Sequence, residues 1–260
     1  MTRPPYYWVF LSGFCLVLSI GCGNKKSVQN YAIDKKLYSH GAIIRGDTTK
    51  IEIALVFTGD EFGDGSGFII KFLKDNRIEA SFFLTGNFYR NPGFTRIIKQ
   101  LKENGNYLGS HSDKHLLYCD WTRRDSLLVT REEFTRDLEN SYSEIDKFGI
   151  KKSDARYFLP PYEWYNDTIS AWTRQKGLEI VNFTPGTLSN ADYTYPEMGK
   201  TYVDSRSVYN SIVKFEEGSV SGLNGFILLV HIGTDPRRRD KFYFLLPELT
   251  SRLKRKGFAV

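Results

Sequence analysis

From residue 50 onward, short apolar runs rich in β-branched and aromatic residues alternate with longer amphipathic runs. This is the pattern of repeated β-α units around a parallel sheet. The apolar runs predict strands at 51–58, 80–85, 107–110, 157–159, 179–183, 226–231 and 257–260. The amphipathic runs predict helices at 67–76, 92–104, 130–148, 166–176, 205–216 and 243–256. Terminus chemistry agrees: Thr130 precedes Glu132 and Glu133, Asn166 precedes Asp167, and Gly105, Gly149, Gly177 and Gly257 follow last turns. Right-handed crossovers with parallel pairing allow an open doubly wound sheet or a barrel, and seven βα steps favour the barrel. The expectation is a single α/β domain, a (β/α)7-type barrel, over residues 50–260.

The first residues follow a different pattern. In MTRPPYYWVFLSGFCLVLSIGC, Arg3 precedes an apolar run at 6–20 that ends in small residues. The run is shorter than the ~20 apolar residues a spanning helix needs, so it reads as the core of a cleaved signal peptide. Ser19, Ile20, Gly21 and Cys22 resemble a bacterial lipoprotein cleavage box. This predicts a signal peptide at 1–21, a lipid on Cys22, a polar tether over 22–49, and an exported, lipid-anchored protein of the bacterial cell envelope, periplasmic or on the cell surface. Of three cysteines, Cys15 falls in the signal and Cys22 carries the lipid, which leaves Cys119 alone. Neither an internal disulfide nor a cysteine metal site is then possible.

Composition narrows the function classes. With 41% hydrophobic and 25% charged residues over 260 positions, the chain can bury a sizeable core, which excludes disorder, collagen and coiled coil. The net charge of +6 is spread out, and only 237–239 and 252–256 form basic clusters. Neither has the aromatic interleaving of a single-strand binder, so a solvated basic face is expected and no nucleic-acid partner.

In a barrel, reactive groups gather where strands end and βα loops begin. Those positions hold Thr58-Gly59-Asp60-Glu61, His111-Ser112-Asp113-Lys114-His115, Pro160-Pro161-Tyr162, the run toward Asp192, and His231. The spacing of four predicts His111 and His115 on one face of a helical turn, about 5 to 6 Å apart, an arrangement suited to chelating a metal. Asp60 or Glu61 can add an oxygen ligand, and two imidazoles with one carboxylate leave positions open for water and substrate. The Gly63-Asp64-Gly65-Ser66-Gly67 run lacks the lysine of a nucleotide loop and reads as a flexible turn. Asp235 with the arginines after it reads as a surface turn.

The ordered set FTGDE, GSHSDKH, RYFLPPYEW and ILLVH resembles the polysaccharide deacetylase family, also called carbohydrate esterase family four, over about residues 50–260. The resemblance implies a distorted barrel acting as a metal-dependent hydrolase that removes acetyl groups from carbohydrate nitrogen or oxygen. It implies one divalent metal, commonly zinc, held by His111, His115 and, in an ungapped match, Glu61, with Asp60 as general base. A two-residue shift would put Thr58 and Gly59 opposite the two acids instead. Pro161 and Tyr162 would form one cleft wall, with the Tyr162 N–H near the developing oxyanion and Trp164 beside it. His231 becomes the general acid, with Asp192 placed to orient it. Trp121, Tyr165 and Tyr193 are either further sugar-stacking rings or packing over the barrel mouth. Leu159 stands where the family has an arginine that holds the base, unless Arg156 reaches in. That departure motivates the alternative of a non-catalytic glycan-binding lipoprotein on the same scaffold.

Overall fold

The computed structural model describes residues 35–260; the expected signal peptide, Cys22 and the first part of the expected tether lie outside the described residues. The first elements are β1 (Leu37–Ser39) and β2 (Ala42–Arg45), an antiparallel hairpin turning through His40 and Gly41. The folded unit therefore starts before residue 50. Ala42, Ile43 and Ile44 are too few to show a period between their polar flanks, yet Ala42 and Ile43 are buried. Ile43 also pairs in parallel with Val181, and its carbonyl accepts the Asn182 N–H at 2.8 Å.

Side chains along β3 (Ile53–Gly59) alternate between two cores. Leu55 and Phe57 join the large core between sheet and helices, where Phe57 stacks on Phe82 with ring centroids 4.8 Å apart. Val56 joins Ile43, Phe83, Leu159, Ile227 and Leu229 in a second core that fills the bore. The helices of the outer layer are α1 (Ser66–Asn76), α2 (Gly86–Arg90), α3 (Thr95–Glu103), α4 (Arg131–Asp146), α5 (Asp167–Gln175), α6 (Ser205–Gly218) and α7 (Leu246–Arg255). The strands between them are β4 (Ser81–Leu84), β5 (Tyr107–Ser110), β6 (Tyr157–Phe158), β7 (Glu179–Ile180) and β8 (Phe226–His231). The six-stranded sheet is parallel, in the order β7-β6-β5-β4-β3-β8. Its open edges meet just past β7, where the Thr184 N–H donates to the Ile227 carbonyl at 3.0 Å.

The distorted α/β barrel expected from the sequence is thus present, with a corrected strand count. The predicted seventh strand at 257–260 makes a single parallel bridge, Ala259 to Glu52. β2 is what lies against the seam between β7 and β8. Capping behaves as read: Thr130 and Glu133 form a reciprocal capping box on α4, and the Asn166 side chain accepts the Ile169 N–H on α5. No helix among the described residues is long and apolar enough to cross a membrane.

Candidate active site

The parallel register delivers the site. Thr58 pairs with His231, and Leu84 pairs with both Gly59 and Ser110, so β3, β4, β5 and β8 end at one level. A cleft of about 240 Å³ opens there, lined by Asp60, Glu61, His111, His115, Tyr193 and His231 among others. Thr58 and Gly59, which a two-residue shift of the first motif sets opposite the family's acids, end the strand just before Asp60. Gly59 faces the outer core, where an added Cβ would lie 2.6 Å from Ile232, so no acid fits at that position. Thr58 points into the barrel with its buried hydroxyl lacking a hydrogen-bond partner.

His111 and His115 converge, but not on a helical turn. The segment after β5 is a loop in which Ser112 and His115 adopt left-handed backbone, at φ 74° and 55°. Asp137 on α4 holds it, accepting the Asp113 and Lys114 N–H groups at 3.3 and 3.0 Å and the Tyr118 hydroxyl at 2.6 Å. The resulting Nε2 to Nε2 distance is 3.2 Å. His111 Nδ1–H donates to the Leu159 carbonyl at 2.8 Å, which fixes the tautomer and leaves a lone pair on Nε2. Burial holds His111 well below the usual imidazole range, with His115 reinforcing it. Burial also lowers His115, against the opposing pull of Asp60. His111 Nε2 accepts from His115 Nε2–H here, and once the His115 proton moves to Nδ1 the two neutral imidazoles suit a divalent cation, so this part of the donor set fits one. As the side chains stand, no three His, Cys, Asp or Glu among the described residues converge at ligand distance.

The carboxylates divide into three settings. Asp60 Oδ1 accepts the Thr85 hydroxyl at 2.6 Å and the Asn87 amide at 3.2 Å. Leu159 is buried in the bore and Arg156 pairs with Glu179 at 3.4 Å, so neither reaches Asp60. Glu61 borders the cleft as an exposed side chain and has no oxygen within 4 Å of either imidazole. Glu163, which the sequence reading passed over, lies nearest the pair, with Oε1 3.9 Å from His111 Nε2. Burial pushes its carboxyl up to about 7. Tyr162 and Glu163 both adopt left-handed backbone, at φ 57° and 54°, a conformation that costs non-glycine residues roughly 1 kcal/mol or more each. The signal available in the sequence was an acid directly after Pro161-Tyr162 in a strand-end loop.

On the opposite side, Asp192 grips His231: Oδ1 accepts Nδ1–H at 2.6 Å and Oδ2 accepts the backbone N–H at 2.9 Å. Burial opposes charge on His231, but Asp192, with help from Glu163, raises its pKa above the ordinary value. Buried Arg238 steadies this loop by donating to the Thr194 and Val203 carbonyls and the Ser205 hydroxyl. The arginine run after His231 is therefore scaffold at Arg238, while Arg237 pairs with Asp235 at 2.6 Å. The glycine run before α1 is pinned through Asp64, which accepts the Thr234 N–H at 2.8 Å and pairs with Lys241 at 3.0 Å.

Aromatic rings rim the cleft. The Tyr162 ring lies 4.3 Å from the His115 ring, and the neighbouring Pro161 is buried. Trp121, 54% exposed, stands edge-on to Tyr162, and Tyr193, 46% exposed, leans on His231. Trp164 is less available than expected, because the Arg124 guanidinium covers its ring at 3.6 Å and Trp121 packs at 5.5 Å. Tyr165 and Cys119 are buried packing residues, and burial pushes the Cys119 thiol up to about 11.

The family model described as polysaccharide deacetylase matches residues 45–181. The peptidoglycan-N-acetylmuramic acid deacetylase PdaA of Bacillus subtilis (strain 168) is 26% identical over 168 residues, 62% of this chain and 60% of that protein. The chain spans 51% to 60% of the length of the curated relatives it matches. Among solved structures, Bacillus subtilis PdaA, a family 4 carbohydrate esterase, superposes with a TM-score of 0.62 at 21% identity, covering 85% of this chain and 82% of that one. A CE4 family pseudoenzyme of Bacillus anthracis superposes with a TM-score of 0.64 at 16% identity, covering 86% and 67%.

Proposed function

Because the chain belongs to the polysaccharide deacetylase family, we propose that it is a divalent-metal-dependent hydrolase that removes acetyl groups from a carbohydrate nitrogen or oxygen. The observation that carries this reading is the facing of two devices across one cleft: the His111–His115 pair with Nε2 atoms 3.2 Å apart, and the Asp192-held His231.

The cation, zinc being the first candidate, would be held by His111 and His115, and when bound it supplies Lewis acidity that polarises the acyl carbonyl and acidifies water. The chain's own residues manage the protons. Asp60, its Oδ1 already held by Thr85 and Asn87, takes a proton from the attacking water as oxygen bonds to the acyl carbon. The Tyr162 backbone N–H, beside His115 and the Pro161 wall, is the proposed oxyanion donor. When the acyl C–N or C–O bond breaks, His231 gives its Nε2 proton to the departing amine or alkoxide, and Asp192 stabilises the imidazolium until then. Trp121, Tyr162 and Tyr193 offer ring faces to the sugar, with Trp164 backing Trp121. Export to the cell envelope with a lipid on Cys22 belongs to the same proposal and rests on the 1–22 stretch alone. Loss of radiolabelled lipid from a Cys22→Ala variant tests it.

Acetate release from acetylated oligosaccharides, measured with added zinc, tests the activity. Release by wild type that falls about 10²- to 10⁴-fold in His231→Ala supports it. A protein that binds the cation and a glycan yet releases no acetate overturns it in favour of glycan binding.

A further inference from the structure

The carboxylate nearest the imidazole pair is neither Asp60 nor Glu61. Glu163 Oε1 lies 3.9 Å from His111 Nε2, and the Glu163 side chain is only 10% exposed. Its carboxyl oxygens make no hydrogen bond to any described residue, so they are open to a cation. The backbone holds it there. Two successive left-handed residues turn the chain, the Glu163 N–H donates to the Pro160 carbonyl at 3.1 Å, and the Asn182 amide donates to the Glu163 carbonyl at 2.8 Å. Asp60 is otherwise engaged, with Oδ1 accepting from two donors.

The geometry points to Glu163 as the carboxylate ligand that completes the metal site with His111 and His115. The inference rests on the metal-dependent reading above and replaces Glu61 in it. Ligands at about 2.0–2.1 Å in tetrahedral array stand roughly 3.3 Å from one another. The imidazole nitrogens, 3.2 Å apart, stand at that spacing, while Glu163 Oε1, 3.9 Å from His111 Nε2 and beyond 4 Å from His115, would have to move inward to join them. Asp60 keeps the proton-transfer task, so the two acids have separate roles.

The test is a Co²⁺ titration of the chelator-stripped full chain, followed by visible d–d absorption and calorimetry, for wild type, Glu163→Gln and Glu61→Gln. The expected result is one Co²⁺ site in wild type, at least tenfold weaker binding with an altered spectrum in Glu163→Gln, and wild-type behaviour in Glu61→Gln. Wild-type affinity and spectrum in Glu163→Gln overturn the assignment. So does loss of the ion in Glu61→Gln alone. A wild type that binds no Co²⁺ instead removes the metal-dependent reading itself. Glu163→Asp, which keeps the charge and shortens the reach, is the second variant should Glu163→Gln fail to fold: a shifted spectrum supports the assignment and an unchanged one overturns it.

Discussion

Asp192 holds His231 from two directions, with one oxygen on the ring Nδ1–H at 2.6 Å and the other on the residue's own backbone N–H at 2.9 Å. A carboxylate anchored to the main chain of its partner cannot drift away from the ring it polarises. The imidazole therefore presents Nε2 to the cleft in one tautomer and one orientation.

Replacing Asp192 by Asn keeps the shape and removes the charge that raises the His231 pKa. Burial then dominates and the pKa falls. The acid must be protonated to act, so the basic limb of the kcat profile moves to lower pH, with a loss of about tenfold or more at pH 8 that shrinks toward pH 5. A pH–rate series on both proteins measures this; an unmoved limb would remove His231 from the role of acid.

The double variant His111→Ala, His115→Ala removes both facing ring nitrogens. Mass spectrometric metal content is expected to drop from about one divalent ion per chain to none, with acetate release lost alongside. Full metal retention would place the ion elsewhere.

Asp137 answers two backbone N–H groups and a tyrosine hydroxyl in a buried setting. Asp137→Ala strands those donors and is expected to cost roughly 2 to 4 kcal/mol in urea denaturation. Tyr118→Phe, which removes one donor, costs about 1 to 2 kcal/mol.

Without metal, Glu163 makes stability depend on pH. Its folded pKa, about 7, lies above its ordinary 4.5, so the stabilisation is present in full below 4.5 and is lost as pH rises through 7. His111 and His115 act oppositely: their lowered values remove stability as pH falls below 6.5. Glu163→Gln cannot ionise. Its melting temperature relative to wild type should therefore climb between pH 4.5 and 8, by several degrees, for a difference on the order of 3 kcal/mol at most. A pH-independent difference in metal-free melting curves would contradict this.

The sequence revealed the sheet where strands are continuous apolar runs, because a strand buried on both faces needs apolar residues at every position, as in Leu55–Phe57 and Phe226–Val230. It did not reveal β2, whose burial depends on β7 and β8 rather than on its own pattern. Strand-end chemistry was legible for Asp60, His111, His115 and His231, since parallel register brings strand termini together whatever the loops do. Glu163 was not, because its inward aim comes from two left-handed residues, and no side-chain period encodes a backbone reversal. The same limit explains the error about the His111–His115 turn. A spacing of four suggested a helix, while Ser112 and His115 at positive φ achieve the convergence without one.

The side chains of Val56, Phe83, Leu159, Ile227 and Leu229 plug the bore directly beneath the reactive groups. A polymer cannot thread such a cup; it can only lie across the lip and dip a pendant group inside. Entry and exit share one doorway, and the geometry makes no demand for a free chain end. For the proposed deacetylase, such a floor would admit side groups along the interior of a long strand and leave its length intact.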